Sequence, residues 1–441
     1  MGYPIPSALK GCRKIGLVGL GISNRGVLSY LKECDSCPEI VFHNDINHLK
    51  VTDEDALILS PAIRPDLPMF QKAKEHGVRI LSDCEIFFRD TRARCFGVTG
   101  SDGKSTTTAM LSVLLGSALK TSVPAIGNIG HAMTPFLCEN APAYAVELSS
   151  FQLFHYTPKC ERAVITNLTE NHLNWHRGMK EYASAKAGLY ERCERAAVCI
   201  DDIGAYPLLK KRPFSVYSLS KSEKETAKCK SEFAYYIKND IIFENGHPFL
   251  PLSYLKADNR HNRYNLLAAL SLCAGILTKE DACAIEHFSP LAHRCEPIGE
   301  VRGVRYFNSS IDSSPSRTAQ TLSAFSSPTV LLLGGLGKGL SLSPLLIPVK
   351  EKCRAVIGFG PFGEEAISYL KECGYSGILP PPAKGLKEAF FLAEGLAEKG
   401  DSVLLSPGAT SFDEFENFSV RGDAFRALVR SIQTLQGKEK L

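Results

Sequence analysis

The sequence predicts an α/β protein of three successive domains, and three observations carry that prediction. Short apolar runs alternate with helical stretches along the whole chain, the pattern of parallel sheets with crossover helices. The alternation breaks twice, near residues 89 and 290. The length of 441 residues also exceeds one ordinary domain, since domains cluster at about 100–150 residues.

In chain order, residues 1–88 hold the apolar runs IGLVGLG, ALILSP and RILSD with helices between them, which predicts a first Rossmann-like domain. Residues 89–289 begin a second alternation at ARCFGVTG and continue through YAVELSS, RAVITNL and AAVCID to the helix-like HNRYNLLAALSLCAGIL. A strand-rich insertion around FAYYIKNDIIFENG interrupts this middle domain, the largest of the three. After the break at FSPLAHRCEP, residues 290–441 bring TVLLLGG, RAVIGFG and SVLLSP, a second Rossmann-like set. No internal repeat or low-complexity tract appears.

Composition narrows the function classes. Hydrophobic residues make up 44% and charged residues 22%, close to the globular average. The 51 Lys and Arg nearly balance the 47 Asp and Glu, so no field argues for nucleic acid or an acidic membrane surface. No run approaches the ~20 apolar residues of a membrane span, and the opening MGYPIPSALKGCRK lacks the apolar core of a secretory signal. The expectation is a cytoplasmic monomer. The 15 cysteines are odd in number and scattered, which predicts mostly buried free thiols and no disulfide framework. Cys34 and Cys37 have CxxC spacing, but without a second pair they read as incidental.

The strongest local signal opens the middle domain. The strand CFGVTG runs into Gly100, Ser101, Asp102, Gly103, Lys104, Ser105 and Thr106, and a helix follows. Backbone amides of such a turn at a helix N-terminus point at phosphate, a lysine adds charge, and the next hydroxyl can hold Mg²⁺. Lys104 is therefore assigned to phosphates and Ser105 to the metal, in a P-loop ATPase-like domain. The spacing departs from the common form, because Val98 stands where the first glycine would be. Glu147, at the end of the next strand, faces the ligand crevice of a parallel sheet and is the natural partner of Ser105. His172 follows at the same edge. With His176 it has a spacing that would also suit zinc on a helix, but no third ligand is suggested.

Together with GNIG, ELSSFQL, NLTENHLNWH, YASAKAGLYE, HRCE, GGLGKG and LLSPGATSFDEFENFSVRG, in that order, the loop TGSDGKST resembles the Mur ligase family, in particular its D-glutamate-adding branch. The match spans nearly the whole chain and includes the unusual loop spacing. The resemblance implies an ATP-dependent ligase of peptidoglycan precursor synthesis that activates UDP-N-acetylmuramoyl-L-alanine as an acyl phosphate and couples it to D-glutamate. It implies two Mg²⁺ sites, with His172 at the second. It makes Asn128 and Ser149 substrate-side groups and Lys186 a carbamylated lysine supporting the metal site. Of His261, Asn262 and Asn265 in HNRYN, Asn265 would contact adenine, and Arg294 would reach ATP phosphates. Gly19, Gly21, Ser23 and Asn24 resemble the turn that grips the uridine diphosphate, with Asp45 as a further contact. Read alone, that glycine pair would suggest NAD, but Asn24 stands where the third glycine of the dinucleotide fingerprint would fall. Ser313, Lys338, Ser411 and Phe418 fall where the family binds D-glutamate.

Some positions depart from the family pattern. Asn308-Ser309-Ser310-Ile311 lacks the usual aspartate and lysine, and Asp312 stands close enough to replace the acid. Asn259 replaces a glycine and Cys199 an asparagine. The competing readings are a sister ligase for another amino acid, a folylpolyglutamate synthetase-like ligase, and a nucleotide-binding regulator without activity. Lys186, His172 and Lys338 argue against the last, which would have no use for an acyl-phosphate site.

Overall fold

A computed structural model describes residues 2–43, 53–173, 175–210, 213–256, 258–289, 292–323 and 325–438. The chain divides into two compact units, Met1–Ser289 and Pro290–Leu441. The second expected boundary coincides with that division. The first, at 88/89, falls inside the first unit, where the chain passes from one sheet to another.

The first unit opens with a four-stranded parallel sheet, in the order β2 (Glu39–His43), β1 (Lys14–Val18), β3 (Ala56–Leu59) and β4 (Arg79–Leu81). Helices α1 (Ile22–Lys32), α2 (Pro68–Glu75) and α3 (Asp83–Asp90) complete it. Next comes a nine-stranded sheet. Its parallel part is built from β5 (Arg94–Thr99), β6 (Ala125–Gly127), β7 (Ala143–Glu147), β8 (Arg162–Ile165), β9 (Arg195–Cys199), β10 (Ser215–Ser218) and β11 (Phe233–Lys238). Two antiparallel strands, β12 (Ile241–Glu244) and β13 (His247–Pro251), extend its edge. They are the strand-rich insertion seen in the sequence.

This sheet is buried on both faces, as continuous apolar strands require. On β7, Ala143 and Ala145 enter one core cluster while Tyr144 and Val146 enter the other. The strand order β8-β5-β7 places β5 at the centre. The loop leaving β5 leads into α4 (Lys104–Leu119), and α5 (Ser150–His155) and α6 (Met179–Arg192) follow β7 and β8. The C-terminal ends of β5, β7 and β8 thus lie side by side, the edge where open α/β sheets bind ligands.

The second unit holds a five-stranded sheet in the order β14 (Glu296–Val301), β15 (Val304–Asn308), β18 (Ser402–Gly408), β16 (Thr329–Gly334) and β17 (Cys353–Phe359). Only β14 runs antiparallel to its neighbour. Again the residues alternate between two cores, Val330 and Leu332 on one side, Leu331 and Leu333 on the other.

All 15 cysteines are free, but the expectation of mostly buried thiols needs correction. Six are fully buried, seven are half-buried, and Cys37 and Cys138 are exposed, because several sit in turns and loops at the ends of elements. No described helix is long and apolar enough to cross a membrane.

Candidate active site

The loop between β5 and α4 is shaped by two glycines at positive φ, Gly100 at 148° and Gly103 at 77°, the latter the N-cap of α4. A Cβ on Gly103 would collide with Asn265 Oδ1, so glycine is needed for close approach as well as for dihedral freedom. The loop is then stapled by the segment after β8. Asn167 O accepts from Ser101 N at 3.0 Å, Asn167 Oδ1 from Asp102 N at 2.9 Å, and Asp102 O accepts from Thr166 Oγ1 at 2.6 Å. Ser101 Oγ lies 2.9 Å from Tyr182 Oη on α6. Asn167, Thr166 and Tyr182 were not singled out in the sequence. Asn167 and Tyr182 open the NLTENHLNWH and YASAKAGLYE segments and Thr166 precedes the first, and that placement is the signal that could have flagged them.

Lys104, the first residue of α4, donates to Ser101 O at 2.8 Å. Ser105 and Thr106 follow in the first turn, half-buried and buried. The first-turn amides of a helix and its dipole together favour an anion at its N-terminus.

Glu147 ends β7 and is fully buried. Asn128 Nδ2 donates to its Oε1 at 2.8 Å, while its Oε2 has no hydrogen-bond partner. A buried carboxylate oxygen without a donor is costly unless a cation meets it. Lys186 is 1% exposed, and its Nζ donates to Gly100 O at 2.8 Å and sits 4.7 Å from the centre of the Tyr182 ring. Burial, reinforced by the Lys104 charge, pushes its amine well below the usual lysine range, against the opposing pull of Glu147 and Asp102. The structure thus brings Lys104, Glu147 and Lys186 to one electrostatic neighbourhood around the loop, with Asn128 attached.

His172 stands at φ 55°, in the left-handed region, with its ring 4.8 Å from that of Phe151. His176 is buried, shares a hydrogen bond with Ser150 Oγ at 2.9 Å and stacks 5.7 Å from the same Phe151 ring. Among the described residues no three His, Cys, Asp or Glu stand together to hold a metal, so neither the histidine pair nor the CxxC pair makes a zinc site.

Ser149 is the N-cap of α5, its Oγ accepting from Gln152 N at 3.2 Å in a capping box. Asn265 faces Thr107 Oγ1 at 3.3 Å and Asn262 Oδ1 at 3.3 Å, one layer behind the phosphate loop. His261 is exposed at the start of the same helix, Arg260–Cys273. Asn259 in place of glycine is explained, because its side chain caps that helix by accepting from Asn262 N at 2.9 Å in extended backbone. Cys199 is a buried core residue at the end of β9.

On the first sheet, Gly19 at φ 77° and Gly21 form the turn into α1, and Ser23 is half-buried behind them. Asn24 is fully buried, and its amide donates to the carbonyls of Val18, Gly19 and Ile58, so it shapes the turn from within. Asp45 lies outside the described residues.

In the second unit Lys338 donates to Ser313 Oγ at 3.1 Å, bringing two of the expected glutamate contacts together. Ser411 is buried, and Phe418, partly exposed, begins the C-terminal helix Phe418–Lys438. Phe418 O accepts from Ser310 Oγ at 2.8 Å. Arg421, 1% exposed, donates to Ser310 Oγ at 3.0 Å and to the carbonyls of Ser310, Ala409 and Thr410. Arg294 is half-buried beside buried His293. The expectation that Asp312 replaces the missing acid is overturned. Asp312 is turned inward, its Oδ2 accepting from Ser309 at 2.6 Å, Thr321 at 2.7 Å and Ser406 at 2.8 Å. With the side chain buried and one oxygen held by three hydroxyls, this carboxylate serves the packing of its own unit and does not stand open to a nucleotide.

Residues 98–273 match the model of the Mur ligase middle domain. Over its length the chain is 33% identical to the UDP-N-acetylmuramoylalanine–D-glutamate ligase of Clostridium kluyveri, covering 96% of this chain and 97% of that protein. The enzyme of the same name from Clostridium perfringens is also 33% identical, with 96% and 98% covered. Among solved structures, the UDP-N-acetylmuramate-alanine ligase of Thermotoga maritima superposes with a TM-score of 0.64 at 18% identity, over 95% of this chain and 99% of that one. A pseudomurein peptide ligase of Methanothermus fervidus gives 0.55 at 14% identity, over 89% and 96%. At these identities the two structures speak for the fold.

Proposed function

The chain belongs to the Mur ligase family, and from that premise we propose that it joins D-glutamate to UDP-N-acetylmuramoyl-L-alanine, using ATP and releasing ADP and phosphate through an acyl phosphate. It is an ATP-dependent ligase. The observation that carries the chemistry is the buried Glu147, with an unpartnered oxygen, beside a buried Lys186 and a phosphate loop.

In this reading the loop residues Gly100 to Thr106 hold the ATP phosphates, and Lys104 turns from Ser101 O to the transferring group. Ser105 and Glu147 would hold one Mg²⁺, and His172 with Lys186 a second, which when bound would screen the phosphate charges. Their donor set fits, since Glu147 Oε2 awaits a cation. Lys186 supplies a nucleophilic neutral amine in its buried position, which would take up CO₂ to give a carbamate and a proton. Asn128 keeps Glu147 aimed, and Ser149 sets the start of α5 beside the substrate. Asn265 supports the loop from behind and contacts adenine, and Arg294 reaches the phosphates.

The three sets of elements, residues 1–88, 89–289 and 290–441, act as domains for the nucleotide sugar, ATP and the amino acid. In the first, Gly19, Gly21 and Ser23 take the diphosphate while Asn24 keeps their turn rigid. In the last, Lys338, Ser313, Ser411 and the Phe418 backbone take the two glutamate carboxylates. The enzyme works as a cytoplasmic monomer. The test is phosphate release from ATP: it should require UDP-N-acetylmuramoyl-L-alanine and D-glutamate together. Equal release with another amino acid in place of D-glutamate would overturn the assignment.

A further inference from the structure

Arg64 lies in the loop after β3, which leads from the nucleotide-sugar turn towards the ATP-binding sheet. The loop begins at Ser60, packed so closely on that turn that a Cβ on Gly21 would stand 3.2 Å from Ser60 Oγ. Two residues on, Ala62 O accepts from Trp175 Nε1 at 2.7 Å. Arg64 then uses every one of its five N–H donors. Nε and Nη2 donate to Asp66 at 2.9 and 2.8 Å, Nη1 and Nη2 to Glu181 at 2.9 and 3.0 Å, and Nη1 to Trp175 O at 2.7 Å. Its guanidinium sits 4.6 Å from the Phe154 ring and 4.9 Å from the Trp175 ring, and the side chain is 12% exposed.

The segment so gripped has His172 at one end and α6 at the other. Trp175 N donates to His172 O at 3.0 Å, and Glu181 also accepts from Arg177 N at 2.9 Å. Lys186 lies on α6, little more than one turn beyond Glu181. Neither Phe154 nor Trp175 belongs to the core clusters of the two sheets. Replacing such an ion pair with apolar groups is often neutral for stability, so this degree of commitment points to geometry. The bidentate fork fixes direction as well as distance, which a lysine could not do.

We propose that Arg64 is a positioning residue of the ligation, locking the 172–181 segment so that His172 and Lys186 stay in register with the turn that grips the nucleotide sugar. This rests on the activity proposed above. Arg64 touches no substrate in this role. It acts through Glu181, Trp175 and the Ser60–Asp66 loop.

The experiment compares kcat and KM of the full-length wild type, Arg64→Ala, Glu181→Gln and the double variant, with thermal melting of each. A displacement of about 1 Å at reacting groups costs about 10²-fold, so kcat of Arg64→Ala should fall on that order. The KM for UDP-N-acetylmuramoyl-L-alanine should rise, and that for D-glutamate should stay unchanged. The double variant should be no slower than Arg64→Ala alone, because both substitutions break one unit. Wild-type kcat and nucleotide-sugar KM in folded Arg64→Ala, or losses that multiply in the double variant, overturn the proposal. If Arg64→Ala does not fold, Arg64→Lys decides: slowed turnover supports the fork, and wild-type turnover refutes it. A wild type inactive with this substrate pair overturns the parent reading and this one with it, whereas an active wild type isolates the test to Arg64.

Discussion

Replacing Lys104 by alanine separates catalysis from folding. A unit charge about 3 Å from a phosphate oxygen interacts with roughly 5 kcal/mol at an effective dielectric of about 20. Only the part that grows as charge shifts in the transition state counts towards rate, and about 4 kcal/mol corresponds to about 10³-fold. The folded state loses little. The hydrogen bond from Lys104 to Ser101 O is worth about 0.5–1.5 kcal/mol. Its charge at the first position of α4 opposes the helix dipole by about 0.3–1 kcal/mol, so removing that repulsion offsets much of the lost hydrogen bond. Because Lys104 also depresses the Lys186 amine, its removal should let that amine rise and move the acidic limb of the residual rate to higher pH. The assay is saturating phosphate release, alongside a thermal melt. A folded Lys104→Ala enzyme turning over at near wild-type rate would sink the assignment of the loop.

Lys186→Ala should lose most activity and regain part of it with a small added carboxylate, because the proposed carbamate acts through its oxygens; undiminished turnover would return Lys186 to a structural role. Glu147→Gln keeps the Asn128 contact but removes the charge, so half-maximal activity should need more Mg²⁺, and an unchanged Mg²⁺ titration would contradict it. Lys338→Ala should raise the KM for D-glutamate far more than that for ATP, and an effect on ATP alone would move Lys338 to the nucleotide. His155 is held neutral by burial, its value pushed down to about 4, below the ~6.5 of an unfolded chain. The unfolded state therefore binds the extra proton, and stability falls as pH drops from about 6.5 towards 4. His155→Leu should flatten the denaturation midpoint over that window, and a curve as steep as the wild type would contradict the assignment.

The glycine-bearing turn between β5 and α4 was legible because its information is local. Gly100, Gly103 and Lys104 sit between a strand and a helix, and the conformations they need are set by near neighbours. The three runs of alternating elements, the strand-rich insertion and Glu147 at a strand end were legible for the same reason, since period and punctuation survive without tertiary contacts. Asn259 shows the limit in reverse: a departure from the family pattern turned out to be a sound helix cap.

What the tertiary structure alone decided is burial and partnership across long stretches of chain. Asp312 looked available by its position, yet Thr321 and Ser406, the latter 94 residues away, close around it. Lys186 on a helix reads as a solvated charge until packing sets it against Gly100 O, 86 residues earlier. Arg64 has no motif at all, and its meaning comes from Glu181, 117 residues further on. Composition and spacing name the groups that can do chemistry. Whether a group is charged, aimed or enclosed depends on the dielectric and donors that distant segments bring to it, and those exist only once the chain has folded.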